Sequence, residues 1–320
     1  MSDAKRILAI TGASGFLGSE VVRLALRTGW RVRALSRSQD SGLPAQVEML
    51  RSDYEDIAGM RRSFEGASVV LHCAGLAHVF GPPGADRDAF RQANEVVAAC
   101  AAQAALAARV PHFILVSSVS VYGSREGDVC DETVLCQPAG PYACSKLAGE
   151  LRVAEILEPS PTELTILRMA TLYGAGDRGN IGKLAEAIGR GGLVLPGSGR
   201  NLKSILHKSD AARACLLVAE RPSPARTMGV FNVAGAPQSM ANIVSTVAAS
   251  LKRRVLRVPL PDRLLLAVAS RLLGLGILPG ITSTLQKFLR NDAYSPLLFE
   301  QTYGFRGEVA LTDEFPPPFA

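Results

Sequence analysis

Tyr142 and Lys146, one helical turn apart in Tyr142-Ala143-Cys144-Ser145-Lys146, are the residues of this 320-residue chain best suited to moving a proton. At positions i and i+4 the phenol and the ammonium share one face of a helix. A free phenol titrates near pH ~10, and a fixed positive charge beside it favours the phenolate, which makes Tyr142 a usable acid and base near neutrality. Upstream, an apolar run ends in Ser117-Ser118. Successive side chains of an extended strand point to opposite faces, so one of these hydroxyls faces a ligand and can bond a substrate oxygen. Near the start stands Thr11-Gly12-Ala13-Ser14-Gly15-Phe16-Leu17-Gly18. Glycines there allow a tight turn and close backbone approach to a pyrophosphate, and the helix that follows offers free N–H groups to the anion.

Those groups need a scaffold, and the chain spells one out. Short apolar runs alternate with helical patterns: ILAIT (7–11), a helix over 15–28, RVRALSR (31–37), VEML (47–50), a helix over 56–64 and ASVVLHCA (67–74). A helix over 87–108, HFILVSS (112–118), a helix over 142–157 and LTILRMA (164–170) continue the series. Strands separated by helices imply right-handed crossovers and a doubly wound parallel α/β sheet of Rossmann type, with a smaller, mostly helical C-terminal part. The regular alternation stops near residue 170. The glycine-rich stretch 174–201 reads as loops around a ligand. Residues 205–219 read as a helix, 229–235 as a strand that returns to the sheet, and 238–252 and 262–273 as helices. The expected division is a dinucleotide domain over 1–170, rejoined by 205–235, and a substrate-binding part over 171–204 and 236–320.

The G-x-x-G-x-x-G spacing, in the full TGxxGxxG form, together with the serine and the Tyr-x-x-x-Lys pair in that order, resembles the short-chain dehydrogenase/reductase superfamily. The serine pattern, the VYG after it and LRMATLYGAGD resemble its extended branch, the NAD-dependent epimerases and dehydratases, over nearly the whole chain. The resemblance selects Ser118 as the functional serine, since it lies four residues before the tyrosine of the SSxxxYG pattern. It implies catalysis by Ser118, Tyr142 and Lys146, with Lys146 also holding the nicotinamide ribose. It implies a dinucleotide held by Gly12, Ser14, Gly15, Phe16, Leu17, Arg37, Asp53, Tyr54, Ala74, Gly75, Tyr142, Lys146 and Met169. Ser36-Arg37 ends the second strand where an acidic residue would bind a ribose 2′-hydroxyl, so charge favours NADP, with NAD as the other option.

For the substrate, the resemblance points to nucleotide-sugar epimerases and reductases. His78, in AGLAHV, together with Thr171, Asn180 and Lys203, with Ser118, are the expected contacts; Lys203 stands where relatives place an arginine on a diphosphate, and Thr171 where many have asparagine. The dehydratase triplet Thr-Asp-Glu is replaced by Ser118-Val119-Ser120, which lacks the carboxylates for water elimination. The expected reaction is therefore NAD(P)-dependent 4-keto reduction or 4-epimerisation of a nucleotide-linked sugar.

Composition excludes other classes. The chain is 48% hydrophobic and 20% charged, with a net charge of +6 spread without a basic block, and aromatics make up only 6%. Nucleic-acid binding is therefore not expected. Six cysteines without a CxxC pair suggest reduced thiols, and the short polar lead into the first strand leaves no room for a secretory h-region, so the expectation is a cytoplasmic protein without a metal site. The apolar stretch 264–281 is broken by Arg271, Gly274, Gly276 and Pro279, which leaves at most peripheral membrane contact. A homodimer seam through the helices 87–108 and 142–157 follows from the resemblance alone. Two rivals remain: an NADPH-dependent reductase of an apolar ketone, as in steroid or flavonoid relatives, suggested by the leucine-rich C-terminal helix, and a non-catalytic dinucleotide sensor, disfavoured by the intact Ser118, Tyr142 and Lys146.

Overall fold

A computed structural model describes residues 6–36, 42–77, 86–123, 129–191, 194–221, 228–258 and 288–315, with Leu264 and Arg271 as single helical positions. The first half runs β1 (Ile7–Thr11), α1 (Phe16–Arg27), β2 (Arg31–Ser36), β3 (Glu48–Arg51), α2 (Ile57–Phe64) and β4 (Val69–His72). It continues through α3 (Asp86–Arg91), α4 (Val97–Ala107), β5 (His112–Ser118), α5 (Pro141–Leu157) and β6 (Glu163–Met169). Thereafter come β7 (Thr171–Tyr173), α6 (Asn180–Gly189), β8 (Val194–Pro196), β9 (Leu202–Lys203), β10 (Ile205–His207), α7 (Lys208–Glu220), β11 (Gly229–Val233), β12 (Gln238–Ser239) and α8 (Met240–Ser250).

Seven strands form one sheet in the order β11-β6-β5-β4-β1-β2-β3, and every pairing is parallel. The sequence explains this arrangement. All four residues of β4, and all of β1 after Ile7, are buried, because helices cover both faces of a parallel sheet and leave no wet side for alternation. On one face α1 and α7 pack with the helix Leu297–Tyr303, joining Val21, Ala25, Ala211, Cys215, Phe231 and Phe299 in one core. On the other face α2, α4 and α5 bring Met60, Phe64, Ala101, Ala105, Val153 and Leu157 against Val70 and Phe113. A separate core lies beyond the sheet, where α6 and α8 pack Ile181, Ile188, Ile243 and Val247 around Leu195 and Ile205.

Three elements differ from the sequence reading. Residues 205–219 are not one helix: Ile205–His207 forms β10, paired in parallel with Thr171–Tyr173, and only then does α7 begin. Tertiary pairing overrides helical preference there, and the His207 ring turns the chain by accepting the Ser209 N–H. The glycine-rich stretch 174–201 is not all loop. It holds α6 and β8, and Asp177 accepts the N–H groups of Gly179 and Gly182 at 2.5 and 2.7 Å to start the helix. The helix expected over 87–108 is interrupted by a π-helical turn at Gln92–Val96. The helix expected over 238–252 is α8, and that over 262–273 lies outside the described residues except for Leu264 and Arg271. No helix among the described residues is long and apolar enough to cross a membrane.

Candidate active site

The glycine turn leans on the end of β4. Gly12 has φ +70°, and a Cβ there would fall 2.6 Å from the Ala74 nitrogen; one at Gly18 would fall 2.1 Å from the Gly12 oxygen. Only glycine permits this close approach of two backbones and the left-handed angle together. Gly15 precedes α1, and no side chain caps that helix, so its first N–H groups are left for an anion. Ser14 is exposed at the turn, Phe16 is half-buried beneath Lys208, whose Nζ lies 5.3 Å from the ring centre, and Leu17 is buried in the core. The Tyr54 hydroxyl accepts the Gly12 N–H at 3.1 Å and donates to the Leu35 carbonyl at 3.1 Å, which ties the turn to β2. Asp53 lies exposed just before it.

Just beyond β4 stands Gly75, where a Cβ would fall 2.7 Å from Asn94 Oδ1 and 3.5 Å from Lys146 Nζ. Asn94 holds this turn: its carbonyl accepts the Leu76 N–H at 2.8 Å, and its amide donates to the Leu76 carbonyl and to Ser145 Oγ, both at 3.0 Å. It can do so because it sits in the π-helical turn, whose extra residue per turn re-aims one side chain. Sequence reasoning missed Asn94, since a π turn has no composition of its own.

The structure brings Ser118, Tyr142 and Lys146 together. Tyr142 shares a side-chain hydrogen bond with Ser118 and meets the Phe90 ring edge-on at 5.8 Å between centroids. Lys146 donates from Nζ to the Val116 carbonyl at 2.8 Å. Ser117 points elsewhere, to Glu150, as strand alternation requires. Met169 is the parallel partner of Ser118 on β6. Burial pushes the Tyr142 phenol above its ordinary value, partly offset by the Ser118 bond; burial also draws Lys146 down to about 8. The sequence reading expected Lys146 to pull the phenol down. In the fold desolvation dominates instead, because neither charged form is well solvated at the strand end.

The remaining expected contacts are more scattered. Thr171 is half-buried at the start of β7 and Asn180 is exposed at the start of α6; among the described residues, no hydrogen bond links either to Ser118 or Tyr142. Lys203 is ion-paired, with Nζ 2.7 Å from Asp292 Oδ2, while Arg290 Nε lies 2.8 Å from the other oxygen. Arg37 and His78 lie outside the described residues.

Behind the site lies a buried polar network that sequence reasoning also missed. Arg168 donates through Nη2 to Glu150 Oε2 at 2.7 Å and through Nη1 to the Tyr122 hydroxyl at 2.9 Å. The Tyr122 hydroxyl in turn donates to Asn232 Oδ1 at 2.8 Å. An arginine in a buried strand was the available signal, because such a charge requires a partner.

Ceramide reductase of Caulobacter vibrioides (strain NA1000 / CB15N) is 32% identical over 225 residues, 69% of this chain; the match spans 63% of that protein, less than two thirds of its length. UDP-glucose 4-epimerase of Vibrio cholerae is 27% identical over 269 residues, 79% of this chain and 78% of the other. The solved structure of MoeE5 in complex with UDP-glucuronic acid and NAD superposes with a TM-score of 0.74 at 25% identity, covering 97% of this chain and 96% of that one. Residues 8–234 match the NAD dependent epimerase/dehydratase family, from the first strand through the last strand of the sheet. The chain belongs to the NAD dependent epimerase/dehydratase family.

Proposed function

We propose that this chain is an NAD(P)-dependent oxidoreductase that reduces, or inverts through transient oxidation, the C4 position of a nucleotide-linked sugar. The observation that carries the reading is the hydrogen-bonded Tyr142–Ser118 pair at the end of β5, with Lys146 held on the Val116 carbonyl of the same strand and its amine at the gap left by Gly75. The residues suit a dinucleotide: an uncapped helix start beyond Gly12 for the diphosphate, and a small-residue turn at Ala74-Gly75 that leaves room beside it. When bound, the nicotinamide supplies or accepts hydride at the substrate carbon. Ser118 can turn its hydroxyl from Tyr142 to the substrate oxygen, and Tyr142 gives that oxygen its proton. A phenol raised by burial stays protonated at neutral pH, which favours the reducing direction. Lys146, anchored on Val116, supplies the charge that steadies Tyr142 when the proton leaves.

The nucleotide sugar is supported by the 4-epimerase of Vibrio cholerae and by the UDP-glucuronic acid in the MoeE5 complex. Asn180, Thr171 and Lys203 would line its nucleotide end, within a substrate-binding part formed by 171–204 and 236–320. Ser36-Arg37 supports NADP, whereas the MoeE5 complex holds NAD. A homodimer through α4 and α5, where Leu151 is exposed, and a cytoplasmic location complete the proposal.

A second reading, reduction of an apolar ketone, is favoured by the ceramide reductase relative and by the Lys203–Asp292 pair, which already neutralises the cation expected to meet a diphosphate. Purified protein with NADPH or NADH and a UDP-4-keto sugar tests the first reading, with a long-chain keto lipid as the competing substrate. Oxidation of the nucleotide by the keto sugar alone supports it; turnover of the lipid alone replaces it with the second. Tyr142→Phe should lower kcat by roughly 100-fold or more, in line with loss of general acid catalysis; full turnover in that variant would remove the mechanism.

A further inference from the structure

Three consecutive residues of β5 each hold one of three stacked residues of α5. The Val116 carbonyl accepts from Lys146, the Ser117 hydroxyl donates to Glu150, and Ser118 bonds Tyr142. Tyr142, Lys146 and Glu150 recur every four residues, so they form one row along the helix. Glu150 is the innermost, 3% exposed, and it is gripped from β6 by a forked contact with Arg168, whose Nε also lies 3.1 and 3.2 Å from its two oxygens. Arg168 is the direct parallel partner of Ser117.

We propose that Ser117, Glu150 and Arg168 form a positioning unit that sets the register of α5 on β5 and keeps the Lys146 amine charged at the site. The inference rests on the reading of Ser118, Tyr142 and Lys146 given above, and it assigns a role to the serine that faces away from the cleft. Its logic is electrostatic. Lys146 is drawn down to about 8 by burial, and Glu150 is the largest opposing influence. The other titratable groups bearing on Lys146 are Cys73 and His72 at the end of β4; Arg168 acts on it through Glu150. A forked arginine fixes the carboxylate in place, so that one anion serves two cations.

The test needs no substrate. Binding of NADH and NADPH is followed by nicotinamide fluorescence from pH 6 to 10 in wild type, Glu150→Gln and Ser117→Ala, with thermal melting of each protein alongside. Wild type should lose affinity with a midpoint near about 8, where Lys146 gives up its proton. Glu150→Gln should move that midpoint down by about one pH unit, an affinity loss of about fivefold at pH 8. Ser117→Ala, which keeps the carboxylate, should move it the same way by less, and it carries the test should Glu150→Gln not fold. A lower melting temperature with an unmoved midpoint would leave the unit a purely structural brace and overturn the proposal. Failure of wild type to bind either nucleotide would instead overturn the functional reading on which it rests, and the proposal with it.

Discussion

Replacing Gly12 by alanine separates two contributions that the fold has joined. The added methyl carbon would fall 2.6 Å from the Ala74 nitrogen, 2.7 Å from the Cys73 carbonyl carbon and 2.8 Å from the Ala74 Cα, all backbone atoms with no rotamer to escape into. Restoring an ordinary 3.4 Å contact moves the two turns apart by about 0.8 Å. The left-handed backbone angle costs about 1–2 kcal/mol for an L residue, and overpacking adds about 1–3 kcal/mol, for roughly 2–5 kcal/mol in all. For a chain of this length that is a fall in Tm of about 3–7 °C. One charged hydrogen bond lost from the diphosphate would weaken dinucleotide binding by roughly 10- to 100-fold. Gly29 is the control: its φ is +86° but its Cβ would meet open space, so Gly29→Ala should carry the backbone penalty alone, about 2 °C, with unchanged affinity. Melting curves and NADH or NADPH titrations measure both quantities. If Gly12→Ala behaves like Gly29→Ala in both assays, the close approach of the two turns is not what shapes this site.

Further outcomes follow from the same packing. Gly75→Ala should weaken dinucleotide binding by about tenfold and lower Tm by about 2–4 °C, since its methyl displaces the buried Asn94 carbonyl that holds the turn through Leu76; wild-type affinity in titration would contradict this. Arg168→Leu should destabilise the fold by about 3–5 kcal/mol, because Glu150 is left buried without its cation, whereas Arg168→Leu with Glu150→Leu should recover most of that in denaturant melts; equal losses in the two proteins would refute it. Burial holds His72 at about 3, with a further push from Lys146, and His112 at about 4, so both are neutral in the fold, while an unfolded histidine titrates near 6.5. Between pH 4 and 6.5 the unfolded chain binds more protons than the folded one. Stability should therefore be fully present above about 6.5 and fall as the pH drops through that window, by up to about 1.4 kcal/mol per unit for each histidine, and a flat Tm from pH 7 to 5 would overturn the assignment.

The parallel sheet was legible because its physics is local: a fully covered strand such as Val69–His72 must be apolar throughout, and a turn such as Gly12 to Gly18 admits few residue types. The same locality made Tyr142 and Lys146 readable, since four residues along a helix fix a shared face. What escaped was decided at long range. Asp292 claims Lys203 from 89 residues away, and Ile205–His207 becomes a strand only because Thr171–Tyr173 is there to pair with it. Glu150 looks like an ordinary charged position until the sheet and α5 stack it on Arg168, and the π turn at Gln92–Val96 shows itself only through the bonds that Asn94 makes.

The order of the sheet also sets a timetable for the growing chain. β6 receives its outer neighbour only when Gly229–Val233 arrives, after β7 to β10 and α7 have been made. Until then its edge presents bare N–H and carbonyl groups, and the aromatic cluster of Phe231, Phe299 and Tyr303 that seals that side is missing. A chain released near residue 170 would leave that edge and the apolar side beneath Phe231, Phe299 and Tyr303 uncovered, the kind of surface that invites association before folding is complete.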